Sequence, residues 1–127
     1  MDREYVRMKA VLDTNILIDY LNGIDDARRE IERYDRPMIS PITWMEVLVG
    51  ARDGEDQPLR DFLGRFEQVP IDPIVADDAV GLRRRHRIRL PDAIVWATAR
   101  TRDALLVTRN TRDFPTDDPS VRMPYAL

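Results

Sequence analysis

Ala10-Val11-Leu12-Asp13-Thr14-Asn15-Ile16-Leu17-Ile18 is the stretch whose reading decides the fold. An apolar run ends in three polar residues, and a second apolar run starts directly after them. The first run is too short for a helix but suits a strand buried on both faces. The second places Ile16, Leu17, Tyr20 and Leu21 at helical spacing, with Asn22-Gly23 as a natural stop. Asp13 therefore sits where a buried strand hands over to a helix. In open α/β sheets ligands bind at that edge, outside the carboxyl ends of the strands. On this tripeptide alone, N-capping of the helix by Asp13 or Thr14 is the simpler reading, and it is the placing of the other carboxylates that changes it.

Working outward, the same alternation continues. The spacing of Ala27, Ile31 and Tyr34 predicts a helix over Asp25–Tyr34, closed by Pro37, and Met38-Ile39-Ser40 is a short strand. A helix from about Ile42 to Arg52 sets the single charge of Glu46 amid the apolar residues Ile42, Trp44, Met45, Val47, Leu48 and Val49. Gly54 to Pro58 reads as a turn, and Leu59, Phe62, Leu63 and Phe66 mark an amphipathic helix. A strand over Gln68–Ile71 and a helix over Ile74–Arg84 follow, then the basic segment Arg83–Arg89. Ala93–Ala99 is a helix apolar nearly all round and hence buried. Leu105–Thr108 is a strong strand, Arg109–Arg112 a polar turn, and Val121–Met123 a weak edge strand. Strands alternating with helices imply an α/β sandwich: a central, mainly parallel sheet with helices on both faces. With 127 residues and no dividing linker, residues 1–127 are expected to form one domain.

Composition narrows the chemistry. The chain has no cysteine and a single histidine, His86, so thiolate zinc sites, thiol nucleophiles and histidine-rich metal sites are excluded. Any metal chemistry must run on carboxylates. No apolar stretch reaches the length of a membrane span, and Met1–Arg7 carries no secretory apolar region, so the expected location is cytoplasmic. The net charge of −3 does not mark a nucleic-acid binder, but charge is unevenly placed: five arginines lie between Arg83 and Arg89. Lys9 is the only lysine among 20 basic residues, which genomic base composition would equally produce.

Three further acids stand out. Glu46 needs a partner, a metal or a place on the rim, because a carboxylate buried unpaired costs several kcal/mol. Asp92 follows Pro91 at the start of the buried helix, where it also complements the helix dipole. Asp113 lies in the turn after the last strong strand, a common Asx-turn position. If the sheet is parallel, Asp13, Asp92 and Asp113 can share one edge. Three or four carboxylates meeting there would raise one another's pKa, and a divalent cation would relieve the repulsion. An all-oxygen ligand set nominates Mg²⁺ or Mn²⁺ over zinc. Such a cation suits phosphodiester hydrolysis: it orients and acidifies a water and stabilises charge on the scissile phosphate, with one or two metals.

Asp13-Thr14-Asn15 after a short apolar strand, Ile42-Thr43-Trp44-Met45-Glu46-Val47, Leu90-Pro91-Asp92-Ala93-Ile94-Val95-Trp96-Ala97 and Thr108-Arg109-Asn110-Thr111-Arg112-Asp113-Phe114 occur here in order. From about Met8 to Phe114 the chain resembles PIN-domain ribonucleases, most closely the VapC toxins of toxin–antitoxin pairs. The resemblance implies a Rossmann-like three-layer sandwich, Mg²⁺- or Mn²⁺-dependent endonucleolytic cleavage of RNA, a homodimer, and inhibition by a VapB-type antitoxin. It implies Asp13, Glu46 and Asp92 as the core acids, with Asp13 and Asp92 as direct metal ligands and Glu46 bound directly or through water. Thr14, Asn15 and Thr108 would line the pocket. Many relatives carry an aspartate where this chain has Asn110; here the fourth carboxylate is assigned to Asp113 and a supporting role to Asn110.

Arg87 and Arg89, with Arg109 and Arg112, are candidates to hold the RNA backbone, since arginine binds phosphate as a bidentate fork. A solvated helix face and loop explains the same residues. His86 reads as a surface residue. The competing function is a non-catalytic PIN-like domain that binds RNA or protein. A phosphoacceptor domain lacks its lysine after a late strand, and an aspartyl phosphatase lacks a second acid at position 15.

Overall fold

The computed structural model describes residues 9–127. Met8, where the resemblance begins, and the N-terminal stretch Met1–Arg7 lie outside the described residues. Strands β1 (Ala10–Leu12), β2 (Met38–Ile39), β3 (Glu67–Gln68), β4 (Leu105–Val107) and β5 (Val121–Arg122) alternate with helices. The helices are α1 (Thr14–Leu21), α2 (Asp25–Glu32), α3 (Pro41–Val49), α4 (Asp56–Leu63), α5 (Pro73–His86) and α6 (Leu90–Thr101).

The strands form one sheet in the order β3-β2-β1-β4-β5, and every pairing is parallel, the edge strand β5 included. All three residues of β1 are fully buried. Their alternation divides the core in two, as a strand's period of two requires. Val11 joins Met38 and Leu106 beneath α5 and α6, in a layer holding Trp96, Phe114, Leu82 and Val75. Ala10 and Leu12 face the other way, with Ile39, Val107, Ile16, Leu17, Val47, Phe62 and Leu63 under α1, α3 and α4. The result is the three-layer sandwich expected. The chain runs outward from β1 through β2 to β3, then crosses back to β4, so the switch in winding falls between β1 and β4. Among the described residues no helix is long and apolar enough to cross a membrane.

Local chemistry explains where the boundaries differ from the sequence reading. Asp56-Gln57-Pro58 forms the first turn of α4 rather than a loop, because a proline there lacks only an N–H that no helical carbonyl would have received. β3 stops at Gln68; the Val69 amide still reaches the Ile39 carbonyl at 3.0 Å, but Pro70 has no donor to extend the ladder. α3 ends at Gly50, short of Arg52, and α2 ends before Tyr34. The basic segment is split. Arg83–His86 forms the last turn of α5, where positive charge complements the helix dipole. Arg87 caps it in the left-handed region at φ 55°, and Arg89 is the N-cap residue of α6.

One buried ion pair ties the last strand to the first helices. Glu30 on α2 is buried, and Arg122 of β5 donates to both of its oxygens at 2.7 and 3.0 Å while the Tyr34 hydroxyl donates at 2.7 Å. Burial opposes ionisation of Glu30, but the hydrogen bonds from Arg122 and Tyr34 prevail and hold its carboxyl below the ordinary range. Its contribution is thus present above the usual glutamate range and lost as pH falls through the lowered value. Removing one partner of such a pair leaves a buried charge unmatched. Glu30→Ala is expected to lower the unfolding free energy by about 3 kcal/mol, read from the urea midpoint, and Arg122→Met in the same chain to restore much of it. A single variant as stable as the wild type would show that the pair contributes nothing.

Candidate active site

Asp13 is placed by the sheet itself. Its backbone N–H donates to the Val107 carbonyl at 2.9 Å, continuing the β1–β4 ladder by one residue, and its side chain then caps α1 through the Thr14 amide at 2.8 Å. The capping role and the site role coincide. The other carboxylate oxygen accepts from the Thr108 hydroxyl at 2.8 Å and from Asn15 Nδ2 at 3.2 Å. Asn15 also accepts the Arg109 amide at 3.1 Å, so the turns after β1 and β4 are stitched together. Thr108 in turn accepts the Asn110 amide at 3.0 Å.

The other acids reach this edge from separate elements. Asp92 enters from the first turn of α6, and its Oδ2 is buried with no hydrogen-bond partner. Of the places its apolar neighbours leave open, Glu46 takes the rim. It is exposed on the rim and accepts the Thr14 hydroxyl at 2.5 Å. The helix tolerates it because its surroundings are open: Met45 is 46% and Val49 86% exposed. In the turn after β4, Asn110 takes the Asx role, its Oδ1 accepting the Arg112 and Asp113 amides at 3.2 Å. Its Nδ2 holds Asp113 Oδ2 at 2.9 Å. Asp13, Thr14, Asn15, Glu46, Asp92, Arg109 and Asn110 line one open cleft of about 370 Å³ together with Ile18 and Asp19.

Electrostatics bind the four acids into one unit. Burial drives the Asp13 carboxyl up to about 6; hydrogen bonds from Thr108 and Thr14 oppose the rise, and the charges of Asp92 and Glu46 add to it. Asp92 is also raised, first by burial, then by Asp113, with Arg89 opposing and Glu46 contributing. Arg89 is thus the arginine of the basic segment whose charge is felt at the acids. Among the described residues no three acids stand close enough to make a ready-formed cage for a cation.

Two residues of this region escaped the sequence reading. Asp19 on α1 is buried, and Arg109 donates to its two oxygens at 2.7 and 3.0 Å. The Tyr125 hydroxyl adds a third bond at 2.8 Å. The Arg109 guanidinium, a candidate for RNA contact, is therefore committed to an internal ion pair. Arg87, Arg89 and Arg112 are exposed, as is His86, whose ring rests 4.9 Å from that of Trp96. The only sequence signal for Asp19 was an acid between apolar Ile18 and Tyr20.

A family profile described as the PIN domain matches residues 10–116, and the chain belongs to that family. Ribonuclease VapC10 of Mycobacterium tuberculosis is 30% identical over 125 residues, covering 92% of this chain and 93% of that protein. A toxin–antitoxin complex from Klebsiella pneumoniae contains a chain 42% identical, with a TM-score of 0.87 over 93% of this chain and 99% of that one. VapBC2 from Rickettsia felis, bound to a DNA fragment from its promoter, aligns at 25% identity and a TM-score of 0.74, covering 90% and 96%. Within the family these relatives put the chain on the VapC branch.

The raised Asp13 carboxyl has a signed consequence. Its ordinary value is 3.8 and its folded value about 6, so between these the folded chain binds more protons than the unfolded one. Stability therefore falls as pH rises through that window and is level above it. In divalent-free buffer, Asp13→Asn is expected to be more stable than wild type at pH 7.5 by about 2 kcal/mol, the advantage shrinking below pH 6. Urea titrations at pH 5 and 7.5 check this, and a pH-independent difference would contradict it.

Proposed function

We propose that this chain is a divalent-cation-dependent endoribonuclease, the toxin of a toxin–antitoxin pair, acting in the cytoplasm on RNA and restrained by a VapB-type antitoxin. The observation that carries the reading is the cleft at the β1–β4 switch, lined by Asp13, Glu46 and Asp92, where one buried oxygen, Asp92 Oδ2, has no partner. A buried carboxylate oxygen without a donor is costly in a structure of protein atoms alone. An all-oxygen donor set of Asp13, Asp92, Glu46 and Asp113 fits Mg²⁺ or Mn²⁺. When bound, such a cation offsets the acids' mutual repulsion and supplies electrophilic stabilisation and water activation at a phosphodiester. The names of the relatives, a ribonuclease and a toxin–antitoxin complex, support the same reading, and a homodimer is expected by the same analogy.

The chain's own residues supply positioning. Thr108, Asn15 and the Thr14 amide fix both oxygens of Asp13, so its rotamer is set before any ligand arrives. The Thr14 hydroxyl restrains Glu46 on the rim, and Asn110 restrains Asp113, whose charge reaches Asp92. Arg89 offers positive charge at the edge of the acid cluster, suited to a phosphate entering it. Asp13→Asn and Asp92→Asn should each reduce cleavage of cellular RNA by roughly a hundredfold or more at saturating Mg²⁺. Chelation should abolish the wild-type activity and Mn²⁺ or Mg²⁺ restore it. Fragment mapping after induced expression, with growth followed in parallel, measures both. RNA bound but left intact by soluble wild-type protein would instead assign the domain to binding without cutting.

A further inference from the structure

The acid cleft does not end at Asn110. A second open cleft, of about 460 Å³, is lined by Asn15, Arg109, Asn110, Thr111 and Arg112. It shares Asn15, Arg109 and Asn110 with the acid cleft, so a chain lying in one continues into the other. Its chemistry is the opposite. No carboxylate lines it, whereas the first is lined by Asp13, Asp19, Glu46 and Asp92.

Its walls also differ in what they have left to offer. The Arg109 guanidinium is neutralised by Asp19, and both Asn15 and Asn110 are spent on internal hydrogen bonds. Thr111 and Arg112 are exposed, and among the described residues neither side chain makes a hydrogen bond or ion pair. The loop that carries them is rigid at its base, because Asn110 Oδ1 gathers the Arg112 and Asp113 amides. An unpaired guanidinium and a free hydroxyl thus stand on a braced turn beside the acids Asp13, Glu46 and Asp92. A polyanion held at that site through a cation is repelled by the acids at every other phosphate. Its neighbouring phosphate needs a separate positive partner.

We propose that this second cleft is the subsite for the nucleotide flanking the scissile phosphate of a single-stranded RNA, with Arg112 as the phosphate anchor and Thr111 as a hydrogen-bonding wall. The proposal rests on the ribonuclease reading. It separates Arg112, which contacts substrate, from Arg109, which only shapes the wall. Contact with a phosphate makes the effect independent of base sequence and sensitive to salt.

Binding of a mixed-sequence single-stranded oligoribonucleotide to Asp13→Asn protein, titrated across salt concentrations, tests this. Arg112→Gln in that background should weaken binding roughly five- to tenfold and flatten the log–log salt slope by about 0.7, the single-strand increment for one phosphate. Arg112→Lys should keep the slope. Arg102→Gln is the control, since it lies at the far end of α6 from the site. In the cleaving protein, Arg112→Gln should raise KM with kcat retained. Equal effects of the Arg112 and Arg102 variants, or weaker binding at an unchanged slope, would overturn the subsite while leaving cleavage by the wild type intact. Wild-type protein that neither binds nor cuts RNA would overturn both readings.

Discussion

The pairing of β1 with β4 is the constraint on which the rest depends. Three consecutive residues of each strand lie in parallel register, Ala10 with Leu105 through Leu12 with Val107. Because the strands run the same way, they end together, and the first residues beyond them are Asp13 and Thr108. A hydroxyl and a carboxylate 95 positions apart in the chain thereby come within 2.8 Å. Everything polar at this edge hangs on that meeting: the cap on α1, the bracing amide of Asn15, and the turn that presents Asn110 and Asp113. An antiparallel pairing would have sent the two polar ends to opposite edges of the sheet.

The same constraint forces a conflict that the fold does not resolve internally. Burial and neighbouring charge both disfavour ionised Asp13, and only Thr108, the Thr14 amide and Asn15 stand against them. Asp92 keeps an oxygen without a donor. Elsewhere the chain satisfies its buried acids fully: Glu30 has Arg122 and Tyr34, and Asp19 has Arg109 and Tyr125. The contrast is informative because the same sequence treats acids of similar burial in two ways. Unresolved charge at one sheet edge, while the other buried acids of the described residues are paired, is the mark of a site held open for a ligand.

Much of this was legible in the sequence, for identifiable reasons. The apolar–polar–apolar switch around Asp13 encodes a strand end and a helix start within nine residues, and the late apolar runs encode α6 and β4 just as locally. Asp92 and Asp113 follow from those elements because each is adjacent in sequence to the feature that places it. Glu46 stood out as a lone charge among apolar residues, but the sequence left open whether it was buried or on the rim, because α3 buries Thr43 and Val47 while its other face, with Met45 and Val49, is open. Asp19 was missed because its partners, Arg109 and Tyr125, are 90 and 106 residues away. No window of sequence contains that interaction. Strand lengths failed for a related reason: a two-residue edge strand is fixed by its neighbour and by where a proline withdraws a donor, not by its own apolar pattern.

The clamp that Tyr125 and Arg122 make with α1 and α2 gives the molecule a sense of time. During synthesis Asp13 emerges early, but the hydroxyl that orients it follows 95 positions later, with the arginine that braces its wall and the tyrosine that closes the clamp later still. Contacts spanning almost the whole chain are slow to form and form last. A chain that has emerged only as far as α6 therefore holds Asp13, Glu46 and Asp92 but not the groups that orient Asp13, and the cleft comes into being only once β4 and the segment after it have joined the sheet.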